Sequence, residues 1–406
     1  MNIDSDPKLL SPELKAAIDA GKRLLELLTQ PLSHEEIAQY LESKSQDEIA
    51  LWVQEDETGW SVLHFAVHRR DPELTRALIE AGAVWNLVDA CGNTAGDVAL
   101  SLDDEECYRL IRDAEFLLHL LDTRAQDEDE EMEEPSTISS IQDIGADSYS
   151  DTKGIKRRKG NTLVLRAEDS TPAGSTEAFL NAKLTFATNK QGQDLCLVDS
   201  GSEQVGVMMG WERPIMEETV RLLHKDNDDT DFRVLNCGFG LGIIDTYFQK
   251  WPTPPSLHVI IEPHPDVLAH MRARGWYDMA NVRILEGKWQ DFIDSDEILG
   301  VGGFDAVYTD VFSEDYKQLY AFFERVPELL RGENSKFSFF HGLGATNPLF
   351  YDIYTNLCEM HLKELGCTVS WTDVDVHTAQ ADGIWGETRK YFSLPYCRIP
   401  LVKMDI

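Results

Sequence analysis

Gly238-Phe239-Gly240-Leu241-Gly242 stands directly after an apolar run, Arg233–Asn236, and directly before a helical pattern that starts at Ile243. Glycines at a strand-to-helix turn let the backbone approach a nucleotide-like ligand, and the helix N-terminus behind them offers unpaired N–H groups. The spacing narrows the ligand. A dinucleotide fingerprint starting at Gly238 needs glycine at position 243, where Ile243 stands; one starting at Gly240 needs it at 245, where Asp245 stands. Three glycines at a spacing of two fit an S-adenosylmethionine site instead. Glu262 ends the next apolar run, 20 residues past Gly242. A carboxylate at that strand tip can accept both hydroxyls of a ribose.

Two more carboxylates are candidates for the chemistry itself. Asp310 closes Tyr308-Thr309-Asp310 at the end of a fourth strand, the tip that faces the methyl group of bound S-adenosylmethionine. Trp211-Glu212-Arg213-Pro214-Ile215-Met216 precedes the sheet and can fold over the site. Two carboxylates facing one pocket suit a cationic acceptor, above all a guanidinium with its planar fork of donors. A guanidinium is a poor nucleophile, because its lone pairs are delocalised and its pKa is above 12. A carboxylate must therefore orient it and take its proton as the methyl group transfers in line. Glu286-Gly287-Lys288-Trp289-Gln290-Asp291 follows the third strand, where the adenine would lie. Trp289 either packs on that base or belongs to the core, and its residue type leaves both open.

These residues need a sheet to hold them. Strands are expected at Arg233–Asn236, Leu257–Ile261, Val282–Leu285, Phe304–Thr309 and Phe337–Phe340, with helices at Ile243–Phe248, Pro265–Arg274, Tyr316–Leu330 and Leu349–Leu365. Repeated strand–helix order predicts an α/β, Rossmann-like and mostly parallel sheet over residues 166–406. Thr368–Val376 and Arg389–Leu394 are expected as late antiparallel neighbours, and residues 183–198 as a hairpin around Asn189-Lys190-Gln191-Gly192.

The N-terminal region is of another kind. Ser11-Pro12 starts a helix with Leu14, Ala17, Ile18 and Leu25 on one face, and Ser33-His34-Glu35-Glu36 reads as a capping box. Gly59 to Ala66 aligns with Gly92 to Ala99 at a period of 33, and Asp56 and Asp89 keep that period. A helix from about Asp103 to Leu121 would close the stack. Period, helix starts and the Ala81-Gly82-Ala83 turn resemble ankyrin repeats, with a degenerate second unit where Ala95-Gly96-Asp97 replaces Pro-Leu-His. An all-α ankyrin-repeat domain is expected over 1–122, then an acidic disordered linker over 123–165. That linker ends near Lys156-Arg157-Arg158-Lys159, which reads either as a nuclear-import signal or, as such runs more often are, as plain solvated linker.

Charge and composition limit the partners. The chain has 406 residues and 72 acidic against 37 basic side chains, a formal charge of −35. Residues 1–150 hold 34 acids and 11 bases. Such a chain repels nucleic acid and anionic membrane and attracts basic proteins. Seven cysteines without a CxxC pair predict neither a disulfide framework nor a metal site. The N-terminus lacks signal-peptide character and no apolar run spans a membrane, so a soluble intracellular protein is expected. A monomer in cytoplasm and nucleus is the accompanying expectation.

The stretch Val207-Met208 through Met216, with Gly238–Gly242, Glu262, Gly287-Lys288-Trp289 and Asp310, resembles guanidinoacetate N-methyltransferase in the same order. The longer phrases Phe239–Thr246, Glu262–Leu268 and Phe337–Ala345 resemble the protein-arginine delta-N-methyltransferases, or type 2 arginine N-methyltransferases. Those carry ankyrin-like repeats before such a domain. The resemblance implies monomethylation of the delta nitrogen of a protein arginine, with a large-subunit ribosomal protein as substrate. It implies that Phe186, Met216, Gly238, Phe239, Gly240, Leu241, Gly242, Ile243, Glu262, Pro263, His264, Trp289, Gln290 and Asp310 line the S-adenosylmethionine site. Glu212 and Asp310 would hold the guanidinium. Phe186 departs from the tyrosine that relatives tend to carry, and His341 stands where a small polar residue is expected. The Thr-His-Trp loop and paired-glutamate hairpin of the enzymes that modify terminal nitrogens do not occur. Two alternatives stay open: a small-molecule guanidino methyltransferase, and an ankyrin adaptor with an inactive domain. The intact glycines, Glu262 and Asp310 argue against the second.

Overall fold

A computed structural model describes residues 11–30, 34–45, 48–114, 155–157, 163–165, 172–199, 204–227, 230–313, 315–380, 384–386 and 388–405. The chain divides into two compact units, Met1–Glu168 and Asp169–Ile406. Among the described residues no helix is long and apolar enough to cross a membrane.

The first unit is built from helices α1 (Pro12–Leu28), α2 (His34–Glu42), α3 (Val62–His68), α4 (Pro72–Glu80), α5 (Ala95–Ser101) and α6 (105–114). Ser11 caps α1 by accepting the Leu14 N–H, and Pro12 fills its first turn, where no N–H is needed. Ser33 of the expected capping box lies outside the described residues, as does the chain beyond 114 in the expected closing helix. The 33-residue period is a structural repeat: α3 and α5 start 33 residues apart, and so do α4 and α6. Each repeat opens with a short bridge, Gln54 to Ser61 and Val88 to Thr94.

His64 joins the two repeats of the first unit. Its Nδ1 accepts the Ser61 N–H at 3.1 Å, so the proton sits on Nε2 and donates to the Asn93 carbonyl at 3.0 Å. In the second repeat Asp97 takes the corresponding place and caps α5 by accepting from the Thr94 N–H and hydroxyl. The substitution that makes this repeat look degenerate thus preserves the cap.

Of the expected linker, the described residues Ile155–Arg157 (β1) and Leu163–Leu165 (β2) form a short antiparallel pair. Lys156 and Arg157 of the basic tetrad lie on that first strand; Arg158 and Lys159 lie outside the described residues.

The second unit begins with α7 (Thr176–Asn181), the hairpin β3 (Leu184–Thr188) and β4 (Asp194–Asp199), then β5 (Gln204–Met209) and α8 (Arg213–His224). Next come β6 (Arg233–Cys237), α9 (Ile243–Gln249), β7 (Leu257–Glu262), α10 (Pro265–Ala273), β8 (Val282–Glu286), α11 (Trp289–Phe292) and α12 (Asp296–Leu299). The rest is β9 (Ala306–Thr309), α13 (Tyr316–Phe323), α14 (Val326–Leu329), β10 (Lys336–Phe339), α15 (Pro348–Glu364), β11 (Cys367–Asp375), β12 (Thr388–Arg389) and β13 (Tyr396–Met404).

Seven strands form one sheet in the order β11-β13-β10-β9-β6-β7-β8. The five from β10 to β8 run parallel, and β13 is antiparallel to both of its neighbours. Strands β6, β7, β9 and β10 are buried almost throughout, as strands covered on both faces must be. A second sheet, β12-β5-β4-β3, holds the expected hairpin.

Two expectations are corrected. The helix over Tyr316–Leu330 breaks at Glu324–Arg325, because Pro327 in the first turn of α14 cannot continue a preceding helix. The antiparallel partner of β11 is Tyr396–Met404, not Arg389–Leu394; Thr388 and Arg389 leave the main sheet and pair in parallel with Gln204 and Val205.

Burial lowers the pKa of His64 against the pull of the Asn93 carbonyl and the charges of Asp89 and Asp97. Below an ordinary histidine pKa of about 6.5 the unfolded chain takes a proton that the folded site refuses. The stability of this repeat is therefore full above that pH and declines as pH falls. Amide exchange in α3 and α5, corrected for intrinsic rates, should show protection falling from pH 7 to pH 5. His64→Gln should flatten that slope and lower protection at pH 7 by about 1–3 kcal/mol. An unchanged slope in the variant would assign it to another group.

Candidate active site

The chain reverses its direction of travel across the sheet between β6 and β9, which are neighbours although β7 and β8 come between them in sequence. Ligands in open α/β sheets bind beyond the strand ends at such a switch point. The glycine turn follows β6 there, and Asp310 follows β9. Gly238, Gly240 and Gly242 all have positive φ, at 92°, 54° and 68°. At Gly238 a Cβ would stand 2.1 Å from the Asp310 carbonyl oxygen, and at Gly242 it would stand 2.2 Å from the Phe239 ring. The turn is thus pressed against the β9 end on one side and packed from below by Phe239 on the other. Asn236 supports it from within, donating to the Gly238 carbonyl at 3.0 Å and to Asp245 at 2.8 Å.

Glu262 ends β7, and its carboxylate is turned back onto this loop. One oxygen accepts the Phe239 N–H at 2.8 Å and the other the His264 N–H at 2.7 Å. Burial pushes its pKa up to about 7, while these N–H groups and that of Gly240 favour the ionised form. Three donors leave the carboxylate with acceptor capacity for a hydroxyl of a bound ligand. Pro263 is half-buried behind it, and Leu241 and Ile243 continue the turn into α9.

The other expected lining residues spread around this centre. His264 is 1 % exposed, and both ring nitrogens serve the fold. Its Nδ1 accepts the Asp266 N–H at 3.1 Å, leaving Nε2 to donate to the Phe179 carbonyl of α7. Met216 is buried in α8, where its sulfur accepts the Tyr308 hydroxyl. Trp289 is buried edge-on against Phe322 of α13, whereas Gln290 beside it is exposed. Phe186 on β3 stacks on His270 of α10 at 4.1 Å. His341, given no role from sequence, is 1 % exposed and bonded to Thr355, so it belongs to the core.

Glu212 sits in the turn between β5 and α8 and is 2 % exposed. Its Oε1 accepts the Met209 N–H at 2.8 Å and also the Tyr391 hydroxyl. Burial raises the pKa of both Glu212 and Asp310, and the charge of Asp310 raises Glu212 further. The two carboxylates are thus close enough for the charge of one to act on the other. Among the described residues neither has a cationic partner. Tyr391 was not a sequence candidate, since it lies 179 positions from Glu212 in an aromatic run without periodic signal. Met208 is a further contributor from β5: its sulfur accepts the Leu241 N–H and would meet a Cβ on Gly240 at 3.1 Å.

Two carboxyls held above their ordinary range lose stability as pH rises, because folding must then bury charge that the unfolded chain leaves in water. Asp310→Asn should therefore raise Tm relative to the parent at pH 8 without ligand, with the difference shrinking towards pH 4.5. A variant less stable than the parent at every pH would mean that the carboxylate only holds a loop.

No family model matches the chain. Curated relatives match along most of its length. The protein arginine N-methyltransferase 2 of Cryptococcus neoformans var. neoformans is 38% identical over 373 residues, covering 87% of this chain and 88% of the relative. That of Emericella nidulans is 34% identical, covering 86% and 89%, and that of Aspergillus oryzae 31%, covering 95% and 98%. Among solved structures, the O-methyltransferase TomG of Streptomyces achromogenes matches at a TM-score of 0.34 and 14% identity, covering 48% of this chain and 80% of that one. Spermidine synthase of Thermotoga maritima matches at 0.36 and 12%, covering 64% and 82%. Likenesses that remote carry no functional weight, whereas the curated relatives align across both units. This chain belongs to the protein arginine N-methyltransferase 2 family.

Proposed function

We propose that this protein monomethylates the delta nitrogen of an arginine in a basic protein, with a large-subunit ribosomal protein as the substrate class. Family membership makes it an S-adenosylmethionine-dependent arginine methyltransferase. The delta nitrogen and the ribosomal substrate rest on the resemblance to the delta-N-methyltransferases. The observation that carries a guanidinium acceptor is the pair Glu212 and Asp310, two carboxylates raised by burial with no cationic partner among the described residues. A guanidinium is the group that relieves both at once, because its fork offers parallel donors and its charge restores the ionised forms.

The glycine turn fits the methyl donor: Gly238, Gly240 and Gly242 hold the positive φ that brings bare backbone to the strand end, and Glu262 stands ready for ribose hydroxyls. Bound S-adenosylmethionine would supply an electrophilic methyl group. Gly238–Gly242, Glu262 and the neighbouring Met216, Pro263, His264, Trp289, Gln290 and Phe186 would hold and enclose it. Asp310, on the rigid end of β9, takes the proton from the reacting nitrogen, and Glu212 clamps the far side of the guanidinium.

The 33-residue repeat of the first unit supports an ankyrin-like partner-binding domain, whose acidic excess steers basic substrates. The protein would act as a monomer in cytoplasm and nucleus.

With total protein from large ribosomal subunits as acceptor, mass spectrometry should find one methyl group on arginine, with fragmentation placing it on the internal nitrogen. Methyl groups on terminal nitrogens would overturn the site assignment, and preference for guanidinoacetate would favour a metabolite substrate. Asp310→Asn should keep donor binding and lose about 10²–10⁴ in turnover. Glu262→Ala should weaken donor binding about tenfold or more, read by calorimetry.

A further inference from the structure

We propose that Tyr391 is a positioning residue for the guanidinium clamp, fixing the Glu212 carboxylate so that one oxygen is committed to the protein and the other is left for substrate. The inference rests on the role of Glu212 given above. Both donors that reach Glu212, the Met209 N–H and the Tyr391 hydroxyl, fall on Oε1. Among the described residues Oε2 accepts no hydrogen bond, although the side chain is almost wholly enclosed. A carboxylate held by one oxygen cannot rotate freely, so its second oxygen presents a set direction to an incoming planar donor.

The fold holds Tyr391 with unusual care. The short strand β12 pairs Thr388 with Gln204 and Arg389 with Val205, anchoring the segment two residues before Tyr391 to the strand that leads into Glu212. Gly206, on that same strand, makes room for the ring: a Cβ there would meet Tyr391 Cε1 at 2.7 Å and Cδ1 at 3.3 Å. Trp385 packs edge-on against Tyr391 at 5.0 Å, and Trp211, next to Glu212, lies 5.8 Å away. A slot that excludes every side chain but hydrogen points to a ring whose place matters. Mere apolar filling would need no hydroxyl at this spot.

The groups that face Glu212 electrostatically are Asp310 beyond β9, Tyr391, Tyr308 on β9, Cys196 on β4 and Cys397 on β13. Burial keeps both phenols and both thiols protonated, so Glu212 and Asp310 titrate as the pair that sets the acid limb of activity. The Tyr391 hydroxyl favours ionised Glu212, so removing it must shift that limb to higher pH.

The test uses the full chain, tritiated S-adenosylmethionine and total protein from large ribosomal subunits at limiting concentration, where the initial rate reports kcat/KM. Tyr391→Phe keeps the ring and should bind S-adenosylmethionine within about twofold of the parent. Its kcat/KM should fall about 10- to 100-fold, with the acid limb moved up by about one pH unit. Gly206→Ala, which displaces the ring while leaving the hydroxyl in the sequence, should reproduce both effects and serves alone if the first variant does not fold. A normal rate, or a fall in rate with an unmoved acid limb, overturns the proposal and leaves Tyr391 a packing residue. Glu212→Gln is run beside them. If that variant is fully active the clamp itself is wrong, and the two failures are told apart.

Discussion

The candidate site depends on a close approach of two pieces of main chain, Gly238 and the Asp310 carbonyl, where not even a methyl group fits. That contact sets how near the turn after β6 lies to the end of β9. Since Glu262 is bonded to the same turn, two residues with different expected duties, Glu262 and Asp310, are referenced to one stretch of backbone. A larger residue at 238 would do more than strain its own φ: it would push the turn after β6 away from the end of β9. Rigid sheet geometry transmits such a shift undiminished.

The second theme is how the site tolerates so much buried negative charge. Glu262 is stabilised by backbone N–H groups, which cost the fold little because the turn must present them anyway. Glu212 has one N–H and one phenol, and Asp310 has mainly its burial. Backbone satisfaction thus falls away from the donor side to the acceptor side, and the demand for an external cation rises in the same direction. The distribution of hydrogen bonds separates the residue that supports the turn from the pair proposed to hold a charged partner.

Much of this was legible in the sequence because it depends on local signals. Strand–turn–helix order located β6, β7 and α9 to within a residue, and glycine spacing located the turn. The hairpin of β3 and β4 followed from Asn189-Lys190-Gln191-Gly192. What escaped reading depends on distance along the chain. Tyr391 meets Glu212 only because β12 crosses to the smaller sheet, a pairing of two residues that leaves no periodic trace. The assignment of 389–394 to the main sheet failed for the same reason: β13 carries Pro400 and polar residues, and hides its strand character until β11 is placed beside it. In the first unit the degeneracy at Asp97 is one of sequence, since its carboxylate takes the place that the imidazole of His64 holds in the first repeat.

The place of β13 in the sheet also governs the order in which the catalytic unit can be completed. This strand lies between β10 and β11, yet both of them precede it in the chain. While a ribosome is still delivering residues 396–404, β10 keeps an open edge, and β11 has no neighbour of its own to pair with. The nascent chain therefore passes through a stage in which two hydrogen-bonding edges await one late strand, a long-range closure that is slow and open to mispairing. Tyr391 is made only a few residues earlier, so the clamp on Glu212 and the sheet beneath it become complete almost together.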